Sequence, residues 1–182
     1  LNMATLVRSL EWLIRLFGYI AAWLVAPLIV AMVWEVFARK VLDAPTLWAF
    51  EIAYMLMGAS LMLGIAYTLQ LRRHIRVDFL YDMLPAKKQA VIDVVGYVFF
   101  LLPVVLWMTW GLWDYLAYAY VNGEVSGESA WNPVVWPLRV AFVAGFILFA
   151  LQIVVEIIKC VYVLGGRTAP GWSPPETHSA KL

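Results

Sequence analysis

The sequence is poor in the residues that metal, redox and nucleic-acid chemistry require. Its 182 residues include one cysteine, Cys160, and two histidines, His74 and His178, and the formal net charge is only +1. A single cysteine excludes an internal disulfide, a cysteine-cluster metal site and a dithiol redox couple. Neither histidine lies in an apolar run, so no pair of axial haem ligands is present. A charge so close to neutral argues against a nucleic-acid partner.

Recognisable catalytic motifs are also missing. The sequence contains no Gly-rich phosphate loop, no Ser-His-Asp set and no cluster of residues with metal-ligand spacing. We therefore predict that the chain is not an enzyme, has no catalytic or metal-binding residues, and binds no cofactor of its own.

Charged residues make up only 14% of the chain, whereas 64% of its residues are apolar. An ordinary soluble domain has about 25% charged residues, and a small soluble fold cannot bury so much apolar surface. Four runs contain no Asp, Glu, Lys or Arg, at 16–34, 52–71, 94–113 and 140–155. About 20 apolar residues cross the hydrocarbon of a bilayer, and an open strand edge cannot satisfy its backbone there. The sequence therefore predicts an all-α integral membrane protein with four transmembrane helices.

The predicted membrane domain covers residues 1–164, and the Gly-, Pro-, Ser- and Thr-rich residues 165–182 are predicted to form a disordered cytoplasmic tail. We place the four membrane helices at about 14–37, 48–71, 90–118 and 136–164. In the last of them we expect Arg139 to snorkel outward. A short interfacial helix is predicted at about 78–84, because Asp78 precedes apolar residues that share one helical face. A plain hydrophilic loop is the alternative there.

The distribution of basic residues predicts the orientation. If both termini are cytoplasmic, the inner segments hold ten of the 13 Lys and Arg residues, and the outer segments hold only Arg39, Lys40 and Arg139. Lys and Arg in short loops stay on the cytoplasmic side, so both termini are predicted to lie inside. Amphipathic indole rings settle at the membrane interface, and six tryptophans fall near the predicted outer one. They are Trp34, Trp48, Trp110, Trp113, Trp131 and Trp136.

Small residues recur at a spacing of four within the first two predicted helices. They are Gly18, Ala22 and Ala26 in the first helix, and Ser60, Gly64 and Thr68 in the second. Because the two helices run in opposite directions, both sets fall in the same half of the bilayer. We predict that they face each other and let the backbones approach closely. The alternative is chance, since Gly and Ala are common in membrane helices.

The middles of the predicted helices carry no ionisable residue, and this favours a role beside a partner. An ionisable group deep in the membrane marks an ion or substrate path. Here Glu35, Glu51 and Asp114 lie towards the outer ends, and Asp93 and Glu156 lie towards the inner ends. We infer that the chain packs against another membrane subunit. A self-sufficient homo-oligomeric carrier or channel, and a subunit of a membrane enzyme, are the alternatives.

One stretch of the sequence resembles a known family. Residues 45–78, PTLWAFEIAYMLMGASLMLGIAYTLQLRRHIRVD, are similar to the small permease (Q) subunit, DctQ-like, of tripartite ATP-independent periplasmic (TRAP) transporters. The similarity continues through GYVFFLLP and GESAWNPVVWPLRV, and HIRVD is its most specific part. Many members have two adjacent acidic residues after the tryptophan, whereas here Ala49, Phe50 and Glu51 follow Trp48. With the outer loop, this resembles the branch labelled mannitol/chloroaromatic compound transport. The residues that carry the resemblance are Pro45, Trp48, Glu51, Gly58, Gly64, Tyr67, His74, Arg76 and Asp78.

The resemblance implies a specific role in the bacterial inner membrane. A Q subunit pairs with a large M subunit, and a soluble periplasmic P protein delivers the solute. A sodium gradient drives transport, and the M subunit holds the solute and the sodium. TRAP solutes are generally organic acids such as 2-oxo or hydroxy acids. The M subunit works as an elevator, and the Q subunit is expected to enlarge and anchor its fixed part.

Within that role the resemblance suggests two groups of interface residues. Trp48 and Glu51 are expected at the outer mouth, near the partner subunit or the docked P protein. Their alternative is an interfacial tryptophan and a carboxylate favoured at a helix start by the macrodipole. A second group is expected to organise the cytoplasmic end of the second helix, with lipid binding as the alternative for its basic members. This group contains Arg72, Arg73, His74, Arg76 and Asp78.

Overall fold

The computed structural model of the protein describes residues 3–71 and 84–165. Three predictions fall outside these residues. They are the interfacial helix, except for its last residue Leu84; the tail from residue 166 onward; and the candidate residues that follow the second span. Those candidates are Arg72, Arg73, His74, Arg76 and Asp78.

The described residues form six α-helices and one π-helical segment. The helices are α1 (Met3–Trp23), α2 (Val25–Val41), α3 (Ala49–Gln70), α4 (Ala86–Val95), α5 (Leu102–Asn122) and α6 (Trp136–Leu164), and the π-helical segment is Gly96–Leu101. Four helical stretches are long and apolar enough to cross a membrane: Met3–Val41, Ala49–Gln70, Lys87–Asn122 and Trp136–Leu164. We call them the first to fourth spans. They confirm the all-α membrane class with four spanning helices.

The first and third spans are much longer than the charge-free runs. They contain 39 and 36 residues, which at 1.5 Å per residue give about 58 and 54 Å. The hydrocarbon is only about 30 Å thick, so both spans project beyond it. The first begins at Met3 rather than near residue 14, because a helix continues readily through charged residues once it has left the lipid.

Both long spans are irregular next to a proline. The break between α1 and α2 falls at Leu24, three residues before Pro27. Pro27 has no N–H to donate to the carbonyl of Trp23, so one helical hydrogen bond is missing there. In the third span, the π-helical segment comes just before Pro103. The wider π turn relieves the clash between the proline ring and the carbonyl four residues earlier.

The second and fourth spans form the centre of the bundle. Helices α3 and α6 contact each other most extensively, the first span packs mainly on α3, and the third span packs on α6. Within the fourth span's most apolar stretch 44% of residues are buried inside the protein, compared with 17% for the first span and 11% for the third. The first and third spans are therefore flanks whose outer faces are open.

Candidate functional site

Small residues bring the first and second spans together. A Cβ added at Gly18 would lie 2.6 Å from Cγ of Tyr67, and one added at Gly64 would lie 3.8 Å from Cβ of Ala21. The Ser60 hydroxyl donates a hydrogen bond of 2.8 Å to the carbonyl of Ala21. Gly18, Ser60 and Gly64 thus lie in one close contact, as the sequence predicts.

The remaining residues of the predicted contact lie elsewhere. Ala22 and Ala26 are exposed, whereas Ala21 is buried, so the prediction for these two alanines is wrong. A step of four residues turns a helix about 40° past a full turn, so a strict spacing of four drifts off the contact face. Thr68 is half-buried and donates to the carbonyl of Gly64 in its own helix.

The closest backbone approach joins α3 to α6. A Cβ added at Gly145 would overlap the carbonyl of Met62, and one added at Gly58 would touch Leu138 at 3.3 Å. Only a hydrogen atom fits between the two backbones at Gly145. The central pair of helices is therefore locked at a fixed separation.

The end of the bundle that carries residues 42–48 and 123–135 is called the loop end. Its longer loop starts at Gly123, whose φ of 59° ends α5 in the left-handed conformation. The loop folds back on itself, since the N–H of Ser126 donates to the carbonyl of Pro133 at 2.9 Å and that of Val135 to the carbonyl of Glu124 at 3.1 Å. It is a compact structure and not an open connection.

Glu51 fastens this loop to the start of α3. Its carboxylate is completely buried and accepts hydrogen bonds from the hydroxyls of Ser126, at 2.5 Å, and Ser129. Trp48, which directly precedes α3, is partly exposed, and its carbonyl accepts from the N–H of Ile52 at 3.0 Å. Glu51 thus lies inside the chain and not on an open outer mouth, whereas Trp48 remains available to a neighbour.

Glu35 fastens the shorter loop in the same way. Arg39 donates to its Oε1 from Nε at 3.0 Å, and the N–H of Thr46 donates to its Oε2 at 2.9 Å, together with the Thr46 hydroxyl. Glu35 is 6% exposed. The spacing of four between Glu35 and Arg39 is a sequence signal for this pair, but Thr46 has no comparable signal.

Arg139 is buried and does not snorkel outward as expected. Its guanidinium donates to Glu124 Oε1 at 2.7 Å and to the carbonyl of Tyr115 at 2.8 Å. It also lies 3.3 Å from the centre of the Tyr115 ring, a cation–π geometry. The loop places the Glu124 carboxylate against the guanidinium, so the charge is neutralised within the chain and need not reach the membrane surface. A pocket of about 430 Å³ beside it is lined by Tyr54, Glu124 and Arg139 among others.

A second polar network ties three helices at the opposite end of the bundle. Lys159 on α6 forms ion pairs with Glu156 at 2.9 Å and with Glu11 on α1 at 2.5 Å. Gln152 donates to Glu156 at 2.9 Å, and Gln70 on α3 donates to the carbonyl of Glu11 at 3.3 Å. The sequence places Glu156 towards the inner end of its span, but it gives no signal for the pairing of Glu11 with Lys159, because these two residues are distant in the chain.

The stretch of sequence from α2 to α6 identifies the family. Residues 28–162 match the family described as "Tripartite ATP-independent periplasmic transporters, DctQ component". The chain belongs to the DctQ family. The match covers well over half of the chain and confirms the resemblance. DctQ proteins are transporter subunits and not enzymes.

A curated relative agrees with this membership. The "Sialic acid TRAP transporter small permease protein SiaQ" of Vibrio cholerae serotype O1 (strain ATCC 39315 / El Tor Inaba N16961) is 31% identical over 64 residues. The aligned part covers 35% of this chain and 37% of the relative. The DctQ match includes Glu35, Glu51 and Arg139, whereas Glu11 lies before its first residue. The residues that make the loop-end contacts therefore lie within the part of this chain that matches the family.

Proposed function

We propose that this DctQ protein anchors and braces the large M subunit of a TRAP transporter. The complex takes up an organic acid or related solute, driven by sodium and supplied by a periplasmic P protein. The chain lies in a bacterial inner membrane with both termini in the cytoplasm. The M subunit holds the solute and the sodium, and this chain needs no cofactor.

One observation supports the bracing role best. Among the described residues, each buried charged side chain has a partner within the chain, so none of these charges is left to bind a solute. These side chains are Glu35, Glu51, Arg139, Glu156 and Lys159. An isolated transporter places its polar binding groups at the midplane, and here the buried charges fasten loops and helix ends instead.

The packing also suits a part that stays fixed while its neighbour moves. The Gly145 contact leaves no room for α3 and α6 to slide past each other, since the bare Met62 carbonyl sits against the glycine. The first span is held to α3 at Gly18 and to α6 through Glu11 and Lys159. Well-packed interiors transmit force with little deformation.

The solute is proposed only as a chemical class. The relative from Vibrio cholerae is named for sialic acid, which carries a carboxylate, and this agrees with an organic acid. The proposal of an organic acid does not depend on the label of the mannitol/chloroaromatic branch.

Reconstitution with the proposed partners tests the function. Proteoliposomes containing this chain, the large M-type protein of its transporter and the matching P protein are expected to take up solute only with an inward sodium gradient. Liposomes lacking this chain are expected to lose most uptake. Sodium-driven uptake by this chain alone would establish a self-sufficient carrier and overturn the proposal.

The basic segment after the second span has its own test. We propose that Arg76 and Asp78 contact the M subunit, and that Arg72, Arg73 and His74 hold the segment at the membrane surface. Replacing Asp78→Ala is expected to reduce co-purification of the M subunit, whereas Asp82→Ala serves as the control. If both variants co-purify as much M subunit as wild type does, Asp78 does not belong to the interface.

A further inference from the structure

The third span carries an exposed stripe on the side facing away from α6. Val105 and Ala119, four helical turns apart, are buried and mark the face that packs inward. The residues opposite them recur every three or four positions, so they form one line along the helix. The stripe consists of Phe100, Val104, Trp107, Gly111, Asp114 and Tyr118. Among them Phe100, Trp107 and Tyr118 expose 71%, 75% and 63% of their surface.

Gly111 leaves a notch in the middle of this stripe. A Cβ added there would meet no other atom within 4 Å, so nothing inside the chain requires a glycine. Glycine is disfavoured in a helix interior, yet at membrane helix contacts it lets a second backbone approach closely. The inward-facing Gly145 has the backbone of Met62 against it, and the inward-facing Gly18 has the Tyr67 side chain against it, whereas Gly111 has no such neighbour within the described residues.

Asp114 lies one turn beyond the notch. It is exposed, and it contacts no cation and no hydrogen-bond donor among the described residues. It lies within the third span, eight residues before the last residue, Asn122. A carboxylate on a helix face that a partner covers is costly unless a positive group neutralises it. Glu35 shows how this chain neutralises such a group internally, with Arg39 and Thr46.

We propose that this stripe binds a transmembrane helix of the large partner subunit. The bound helix crosses closely at Gly111, covers Trp107, and places a lysine or arginine opposite Asp114. The proposal rests on the proposed function, because that function supplies the large partner.

Two other occupants fit the stripe less well. Lipid tails offer no positive charge to Asp114 and no reason for a glycine notch. A second copy of this chain, bound symmetrically through the same stripe, would bring two Asp114 carboxylates near one axis. Like charges at such a contact are repulsive. A helix with a basic residue satisfies both the notch and the charge.

Photo-crosslinking in membranes that contain the M-type protein tests which surface is covered. In one variant, Trp107 is replaced by p-benzoylphenylalanine. In the control variant, Ile29 on the first span is replaced instead. Ile29 is 53% exposed. We expect Trp107 to crosslink to the M-type protein and Ile29 to crosslink to lipid. Crosslinks from Trp107 to a second copy of this chain, to lipid only, or equal crosslinking from both positions would overturn the proposal.

Two substitutions test the notch and the charge. Gly111→Leu and Asp114→Leu are each expected to lower the affinity for the M-type protein about tenfold, whereas Asp114→Glu retains it. The controls Ala26→Leu, on the exposed side of the first span, and Glu128→Gln, in the loop, are expected to bind as wild type. In the absence of the M-type protein, Gly111→Leu and Asp114→Leu should have the same melting temperature as wild type. A lower melting temperature for both variants would mean that the stripe stabilises the chain's own fold.

The outcomes separate this inference from the proposed function. If the wild-type chain fails to bind the M-type protein, the proposed function fails. If the wild-type chain binds but both stripe variants bind equally well, the function stands and the stripe is not the docking surface.

Discussion

The two flanking spans treat their outer carboxylates differently. On the first span, the carboxylate of Glu35 is turned inward and accepts hydrogen bonds from Arg39 and Thr46. On the third span, Asp114 is exposed one turn from Gly111, where an added Cβ would meet no other atom. Both spans expose aromatic rings, such as Trp23 on the first and Trp107 on the third, so the difference lies in the carboxylates. The chain satisfies one of them internally and leaves the other within reach of a neighbour.

The largest effect is expected from filling the inward glycine at the centre. Gly145→Leu should prevent normal packing of α3 on α6, because the Met62 carbonyl cannot move away without breaking its helix. Overpacking of this kind costs about 1–3 kcal/mol or more, and we expect loss of monodisperse protein on size-exclusion chromatography. Gly111→Leu is the matched substitution at an outward-facing glycine, and it should leave the protein monodisperse. An equal loss of monodisperse protein in both variants would show that inward and outward glycines do not differ in their role.

The next effect concerns the contact between the first and second spans. Gly18→Ala places a methyl group 2.6 Å from Cγ of Tyr67, and the ring must shift at a cost of about 1–2 kcal/mol. A lower thermal midpoint is expected in detergent. Combining Gly18→Ala with Tyr67→Ala should cost less than the sum of the two single changes, and strict additivity would show that the two residues do not touch.

A smaller loss is expected for the pair that holds the longer loop. Arg139→Met leaves Glu124 without its counter-charge, and a double-mutant cycle with Glu124→Gln should give a coupling of about 1 kcal/mol, because Glu124 remains 37% exposed. The readout is urea or thermal unfolding of the purified chain. A coupling near zero would mean that the 2.7 Å contact contributes no stability.

The smallest effect on stability is expected from the outward carboxylate. Glu35→Gln should lower the melting temperature by a few degrees, since Arg39 and the Thr46 N–H lose an ionised acceptor. Asp114→Asn should leave the melting temperature of the chain alone unchanged, because nothing in the described residues depends on it. A larger drop in melting temperature for Asp114→Asn than for Glu35→Gln would show that Asp114, and not Glu35, stabilises the fold.

The number of spans and the all-α class were predictable, because a bilayer of fixed thickness requires an apolar run of fixed length in the sequence. Charge-free runs are visible without knowing any contact, and the small residues Gly18, Ser60 and Gly64 keep their helical spacing in the primary sequence. Ala22 and Ala26 show the limit of that rule, since a spacing of four drifts round the helix and Ala21 takes their place.

The long-range polar contacts were not predictable from the sequence. Glu51 is bound by two serines 75 and 78 positions away, and no local pattern links them. Arg139 is buried because the loop fold brings Glu124 beside it, whereas a hydropathy argument sends an arginine at a helix start towards water. Family resemblance named Glu51 as an interface residue, but only the geometry shows that its partner lies in the same chain.

The unequal helix lengths have a consequence for the choice of membrane. The 22 residues of α3 reach about 33 Å, barely more than an average hydrocarbon layer, whereas the first and third spans are longer than that layer, with 39 and 36 residues. In a thicker bilayer the overhanging helices adjust by tilting, but α3 is gripped on both sides and cannot lengthen. Hydrophobic mismatch is therefore concentrated on one helix, and lipids with longer acyl chains should impair the protein first at the two ends of α3.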